Sequence, residues 1–422
     1  MIISLNKSNA FQNKTNREEE FIMTEQKQKQ KLQKGKSYIT VVGKAKVSEN
    51  TFSGDKTSKT SDYQFKNLNL GIETQKGNVV YGSMMGGFSP SMDYPIKART
   101  QGENGQGENV DISWADRLNK SIVDTLNKFS TINIGLVRIG DEPAEGEEDN
   151  RKLDVKRFLS FYDAHDYIQA NLKDGMMIMA KGSYAFQNYK EEDQKKFEIT
   201  DIFLSKTADG EGFANFVQTV LIDEDSFSKA SMKDAKDTGE IMISARAVDY
   251  VSKIDNKKVG KNMTFNLPIS IKINKENPEM TNKIVNSLFK VKKGKIREIT
   301  LEGQIFEGYE QSEVSDKDIQ ISKDVQELIA MGLYSAEEAK EKMTVRGNKV
   351  SKLLFTRPFI LKDKDDATKI SMDISDDKYL PEDLFVDTEA KDSTTDLGGT
   401  TGEEASNDNG DVSWLEGLNL PE

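Results

Sequence analysis

Residues 175–190 read Gly175-Met-Met-Ile-Met-Ala-Lys-Gly-Ser-Tyr-Ala-Phe-Gln-Asn-Tyr-Lys190, and after an acidic turn the chain returns as Lys195-Lys-Phe-Glu-Ile-Thr-Asp-Ile-Phe-Leu-Ser-Lys206. Small or apolar residues hold every second position of the first run (Ile178, Ala180, Gly182), and Phe197 and Ile199 keep the same phase in the second. A period of two is the mark of a half-buried strand, so the stretch predicts a β-hairpin. A short helix is predicted just before it, capped by Asp163, with Tyr167, Ile168 and Leu172 on one side and Gly175 past its end.

A helix feeding a strand that begins at one glycine and carries another in mid-strand, followed by a return strand, is how the last part of an OB-type barrel reads. A second copy lies at Lys292-Lys-Gly-Lys-Ile-Arg-Glu-Ile-Thr-Leu-Glu-Gly-Gln-Ile-Phe-Glu-Gly-Tyr-Glu310, where Gly294 and Gly303 stand for Gly175 and Gly182, and a helical stretch (Met280, Ile284, Leu288) leads in. Two further matches pair 39–46 with 241–248 and 200–206 with 356–362. Approximate matches in one order argue an internal repeat. The expected fold class is therefore mainly β with helical insertions (α+β), two OB-type β-barrels in tandem. The first barrel spans 37–210, with an insertion at about 82–160, and the second spans 213–362, with a helical hairpin inserted at about 322–343. Residues 1–36 are polar, without apolar periodicity, and read as disordered. Residues 363–422 read as a disordered tail, because from Asp376 on the composition is too acidic and polar to bury a core.

The length of 422 residues suits two decorated barrels plus tails. Cysteine is absent and His165 is the single histidine, which leaves the usual zinc, thiol and imidazole chemistries without residues; His165 itself reads as an exposed polar residue. No paired carboxylates, nucleophile-base set or phosphate loop stands out, so no enzyme, catalytic residue, metal site or cofactor is expected. Gly35-Lys36-Ser37 imitates the end of a P-loop, but Gln30 stands where that motif needs its first glycine. No run of about 18 apolar residues and no signal peptide occur, so the expectation is a soluble, cytoplasmic protein with no membrane partner. Met23 stands beside Met1 as an alternative start.

The net charge of −12 is segregated: residues 376–422 hold 14 of the 71 acidic and 2 of the 59 basic side chains, leaving 57 of each sign in residues 1–375. A neutral body can still bind a polyanion if its lysines share a face. In the first strand Ile39, Val41, Gly43, Ala45 and Val47 face one way, and Tyr38, Thr40, Lys44 and Lys46 the other. In 63–72, Leu68, Leu70 and Ile72 face the core, leaving Tyr63, Phe65, Asn67 and Asn69 outside with Lys66 beside them. A turn at 75–78 leads to Tyr81, and Gly82–Asn109 reads as a long loop. Aromatic and amide side chains with lysines around them make a stacking surface for bases with a positive rim. Lys181, Tyr184 and Phe186 extend the candidate set on the hairpin, and Arg246 and Tyr250 supply a counterpart on the second barrel. The competing reading is that Tyr63 and Phe65 cover a second small core. In the insertion, Ser113 is expected to cap a helix whose Trp114, Leu118, Ile122, Leu126 and Phe129 form one core-facing stripe. At the end of the acidic tail, Trp414, Leu415 and Leu418 are large apolar residues suited to capture by a partner.

Taken together, these features resemble the single-stranded-DNA-binding proteins of bacteria and tailed phages, in a large, phage-like form. The resemblance implies sequence-independent binding and protection of single-stranded DNA in replication, recombination or repair, with a tail that recruits partner proteins; the oligomeric state stays open. The tail departs from the bacterial pattern, ending Leu420-Pro-Glu422 with its aromatic at Trp414. The alternative class is a phage structural or assembly protein built on the same barrels, because fold does not fix function.

Overall fold

The computed structural model describes residues 30–384 except 103–106, 142, 144–148, 190–191, 228–230, 232–234, 236–237, 255–256, 312–322, 333–345 and 363–368. The chain is mostly β with a few short helices. In order, the first strands are β1 (Ser37–Lys46), β2 (Phe52–Thr57), β3 (Gln64–Gln75), β4 (Asn78–Phe88), β5 (Ile96–Arg99) and β6 (Asn109–Ile112). Helix α1 (Lys120–Val123), β7 (Ile132–Gly135), β8 (Lys156–Phe158), α2 (Phe161–Asn171), β9 (Met177–Tyr189) and β10 (Glu192–Leu204) follow. Then come β11 (Phe213–Ile222), β12 (Glu240–Ile254), β13 (Lys257–Lys272), α3 (Pro278–Ile284) with a π-helical continuation (Val285–Phe289), and β14 (Arg297–Gln311). The last elements are α4 (Lys323–Ala330), β15 (Arg346–Pro358), β16 (Ile360–Lys362), β17 (Ile370–Met372), β18 (Ile374–Ser375) and a 3-10 turn (Pro381–Leu384).

Five strands close a ring of pairings. β1 pairs with β3, β3 with β4 and β9 with both β1 and β10, all antiparallel, while the β4–β10 pair is parallel. Helix α2 and the insertion fall between the third and fourth strands of this ring. A second ring repeats the order: β11 with β12, β12 with β13, β14 with both β11 and β15, and a parallel β13–β15 pair, with α3 in the same slot. The rings are joined edge to edge by β1 and β11, from Ser37 opposite Gln218 to Val42 opposite Phe213. Their interior forms one apolar cluster that includes Val41, Leu70 and Ile178 from the first ring and Phe216, Ile243 and Leu301 from the second.

The register explains the mid-strand glycines. Gly182 lies opposite Ile39 and Gly303 opposite Phe216, so the two glycines occupy equivalent places. A Cβ on Gly182 would stand 1.9 Å from the Glu198 carbonyl oxygen, and one on Gly303 would stand 2.2 Å from that of Leu354. At the same step the return strand skips a residue: the pairing passes from Ile199 to Asp201 and from Phe355 to Arg357, leaving Thr200 and Thr356 as the bulged residues. The sequence match of 200–206 to 356–362 thus falls on equivalent strands. The match of 39–46 to 241–248 does not, because the counterpart of β1 is β11, whereas β12 corresponds to β3. Alternation alone has the same period in every strand of a ring and cannot tell one strand from another.

Several expectations need correction. β4 runs on to Phe88, so the long loop expected from Gly82 begins seven residues later. The long helix expected from Ser113 is only α1, with Leu118 and Phe129 exposed. Asn119 and Asn127 accept bonds from the backbone N–H groups of Ser121 and Phe129, and Thr125 donates to the Ile122 carbonyl, so side chains compete for the bonds that a helix would use. Ser160, not Asp163, caps α2, while Asp163 pairs with Arg117. His165 is buried, with its ring edge-on to Phe52 and Phe161 and its Nδ1 3.0 Å from Asp166. Of the helical hairpin at 322–343 only α4 is described, and its second half lies outside the described residues.

Both expected terminal boundaries also move. Leu32 is buried against Leu221, Val248, Ile296, Tyr379 and Leu384, and the Gln33 N–H donates to the Tyr379 hydroxyl at 3.1 Å. β18 pairs with β14, and Arg297 forks onto Asp376 at 2.6 and 2.7 Å. Residues 30–36 and 370–384 therefore belong to the folded body. A few anchors spaced along an extended segment leave no periodic pattern to read. The tail from 385 on, with Trp414, Leu415 and Leu418, lies outside the described residues.

Candidate nucleic-acid interface

The outer face of β3, β4 and β10 is the surface on which aromatic, amide and basic side chains converge. Along β3, Leu68, Leu70 and Ile72 go into the core, which turns Phe65, Asn67 and Asn69 outward. On β4, Val80 and Met84 are buried, and Tyr81 and Met85 are exposed by 56% and 59%. On β10, Phe197 and Ile199 are buried, and Lys196, Glu198 and Thr200 are exposed. Register sets these side chains in rows: Asn67 faces Met85, Asn69 faces Ser83, Gly71 faces Tyr81, and Ser83 continues across the parallel pair to Glu198. Tyr81 is held from below by the second ring. Its N–H donates to Glu307 at 3.3 Å, and the Asn78 amide both accepts from the Glu307 N–H at 2.8 Å and donates to the Ile305 carbonyl at 3.3 Å.

The sequence-predicted residues divide sharply. Tyr63 and Phe65 stack on each other, centroids 5.8 Å apart at 16°, and both are half-buried; burial raises the Tyr63 hydroxyl pKa. Lys46 is exposed beside this face and bonded to Glu73 at 2.5 Å, which raises its ammonium pKa. Lys44 pairs with Asp209 at 2.6 Å. Lys66 is not on the rim. Its ammonium is buried under the face, 2.7 Å from Asp166 and 4.4 Å from the centre of the Tyr162 ring. Tyr38 is half-buried at the seam between the rings, opposite Val217, and its hydroxyl is raised by that burial.

Tyr184 and Phe186 are corrected most clearly. Both are core residues, and Phe186 stacks on Phe265 of the second ring at 5.5 Å and 23°. Burial pushes the Tyr184 hydroxyl far above the usual phenol range. Both keep the phase of Ile178, Ala180 and Gly182, so alternation itself turns them inward, and where the strand runs on past its own ring Phe186 meets the second ring. Lys181 is half-buried with its ammonium pKa lowered by that burial. Arg246 is tied to Asp223 at 2.9 Å, and by register it corresponds to Glu73 rather than to Lys44. Tyr250 is exposed on β12 of the second ring, which pairs with β11 and β13 and not with β3 or β4.

Ser83, Met85, Lys196 and Glu198 were not among the predicted residues. The signal for the first two is present: Val80, Gly82, Met84 and Gly86 alternate with Tyr81, Ser83, Met85 and Gly87, but four of these positions carry glycine or serine and mask the strand. Among the described residues no group of three or more His, Cys, Asp or Glu is placed to hold a metal ion, and no helix is long and apolar enough to cross a membrane.

No protein-family model matches the chain, and no curated protein does. The solved structures similar to it include two of the single-stranded DNA binding protein from Thermus aquaticus. The wild type is 9% identical with a TM-score of 0.27, and 65% of this chain and 86% of that one are covered. A deletion mutant is 10% identical with a TM-score of 0.26, and 65% of this chain and 88% of that one are covered.

Proposed function

We propose that the two rings are OB-type barrels and that the chain binds single-stranded DNA on the outer face of β3, β4 and β10. The observation that carries this reading is the exposed Tyr81–Met85 pair beside Asn67 and Asn69, on the second and third strands of a five-strand ring. In the OB fold that face, together with the neighbouring loops, takes oligonucleotides. Tyr81 offers a ring for a base, the amides offer bonds to base edges, and the exposed Lys46, Lys56 and Lys196 on β1, β2 and β10 offer cations for the phosphates. Ring two is a support by the same logic. Register places Met242, Pro268 and Leu354 where ring one has Asn69, Tyr81 and Glu198. A role in replication, recombination or repair, with residues 385–422 recruiting partners through Trp414, Leu415 and Leu418, completes the proposal.

Titration of a fluorescent 30-nucleotide oligothymidine tests it. Stacking of a base on an aromatic is worth about 1–3 kcal/mol, so Tyr81→Ala weakens binding about tenfold while the circular dichroism spectrum stays that of the wild type. Equal affinity of the variant and the wild type would remove Tyr81 from the interface.

A further inference from the structure

One row of the outer face has more hydrogen-bonding capacity than a stacking surface needs. Asn69, Ser83 and Glu198 stand side by side on β3, β4 and β10, directly opposite one another by register. Asn69 and Glu198 are exposed, while Ser83 is only 5% exposed and its hydroxyl oxygen has no hydrogen-bond partner among the described residues. A buried hydroxyl without a partner costs about 1–3 kcal/mol, and here it lies in the floor between an amide and a carboxylate. Tyr81 is two residues away along the same strand, about 6.6 Å, so a base stacked on its ring brings an edge over this row.

The fold does not require these residues. At the equivalent positions of the second ring stand Met242, Ser270 and Leu354, with Pro268 in place of Tyr81. The serine recurs and is again buried, but its polar flanks and its aromatic neighbour do not.

We infer that Asn69, Ser83 and Glu198 form a base-edge site that prefers guanine, superimposing a composition preference on otherwise sequence-tolerant binding. The inference rests on the proposed single-stranded DNA reading of this face. A carboxylate only accepts hydrogen bonds, whereas an amide and a hydroxyl both donate and accept. Unstacked bases in single strands expose their Watson–Crick edges. Guanine presents two adjacent donors there, N1–H and the 2-amino group, which match the two oxygens of Glu198, and its O6 accepts from the Asn69 amide or the Ser83 hydroxyl. Thymine presents one donor between two carbonyl oxygens and sets an oxygen against the carboxylate. Cytosine and adenine each offer a single amino donor beside an acceptor nitrogen.

The test compares full-length protein on three 30-nucleotide strands: oligothymidine, the same strand with every third thymine replaced by guanine, and that strand with inosine, which lacks the 2-amino group, in place of guanine. A bidentate base contact discriminates by about 1–3 kcal/mol, so the guanine strand binds about tenfold more tightly than oligothymidine, and inosine loses most of that gain. In Glu198→Gln the ratio between the guanine strand and oligothymidine falls to near one. Equal wild-type affinity for the three strands overturns the guanine site and leaves the DNA-binding reading standing, as does a guanine preference that persists in Glu198→Gln. Binding to none of the three overturns both.

Discussion

Replacing Lys66 with methionine separates two accounts of the same residue. As a lysine beside an outward aromatic face it reads as a rim cation that meets phosphate; in the structure its side chain is 9% exposed and its ammonium is bonded to both Asp166 oxygens, at 2.7 and 2.9 Å, with Asp55 at 3.8 Å. Hydrogen bonds to charged groups are worth about 1.5–3 kcal/mol. The Asp166 side chain is 64% exposed, so water takes over part of what Lys66 supplies. Methionine keeps the apolar stem in place, which puts the net loss at about 1–2 kcal/mol. At about 2–4 °C per kcal/mol for a unit of this size, the melting temperature falls by about 2–8 °C. The second readout is the dependence of oligothymidine affinity on salt. Each phosphate contact to a single strand contributes about −0.7 to the slope of log K against log salt, and Lys66→Met leaves that slope unchanged. A variant that melts like the wild type but loses about 0.7 from its slope would place Lys66 on the nucleic acid and refute the buried assignment.

Other consequences are as specific. Gly182→Ala forces a Cβ to within 1.9 Å of a backbone oxygen and costs about 3 kcal/mol or more, whereas Gly54→Ala, with nothing within 4 Å, is close to neutral; thermal melts of the two variants check the contrast. Tyr379→Ala removes the anchor between the two terminal segments and costs about 3–5 kcal/mol, and proteolysis near residues 30–36 accelerates. The Tyr162 hydroxyl donates to Asp55, and that bond raises its pKa from 10.0 to about 12; the stability it brings is intact below pH 10 and is lost as pH rises through 12. Tyr162→Phe therefore loses less stability across that window than the wild type, and equal losses would mean that the bond does not persist in solution.

How far the sequence could be read depended on whether a residue's neighbours in space were also its neighbours in pattern. The hairpin of β9 and β10 and the glycine pair Gly182 and Gly303 were legible, because alternation and a missing side chain are local signals. The outward turn of Phe65, Asn67 and Asn69 was legible for the same reason. Tyr184 and Phe186 were misread because their aromatic rings suggest a stacking surface, whereas their phase, that of Ile178, Ala180 and Gly182, turns them into the core, where Phe186 meets the second ring. Lys66 was misread because a lysine is expected in water unless a partner is known, and its partner Asp166 lies 100 residues away on α2. Ser83 and Glu198 could be joined only by the parallel β4–β10 pairing, which no local pattern announces.

The measurement that bears most directly on the central claim is the affinity of the full-length wild-type protein for a fluorescent 30-nucleotide oligothymidine at two salt concentrations, with the same sequence as a duplex for comparison. Three lysines at the face, each meeting one phosphate, give a slope of about −2, so affinity for the single strand falls about 20-fold between roughly 50 and 200 mM salt, and the duplex binds more weakly at both. Failure to bind the single strand at the lower salt, or tighter binding of the duplex, would contradict the account.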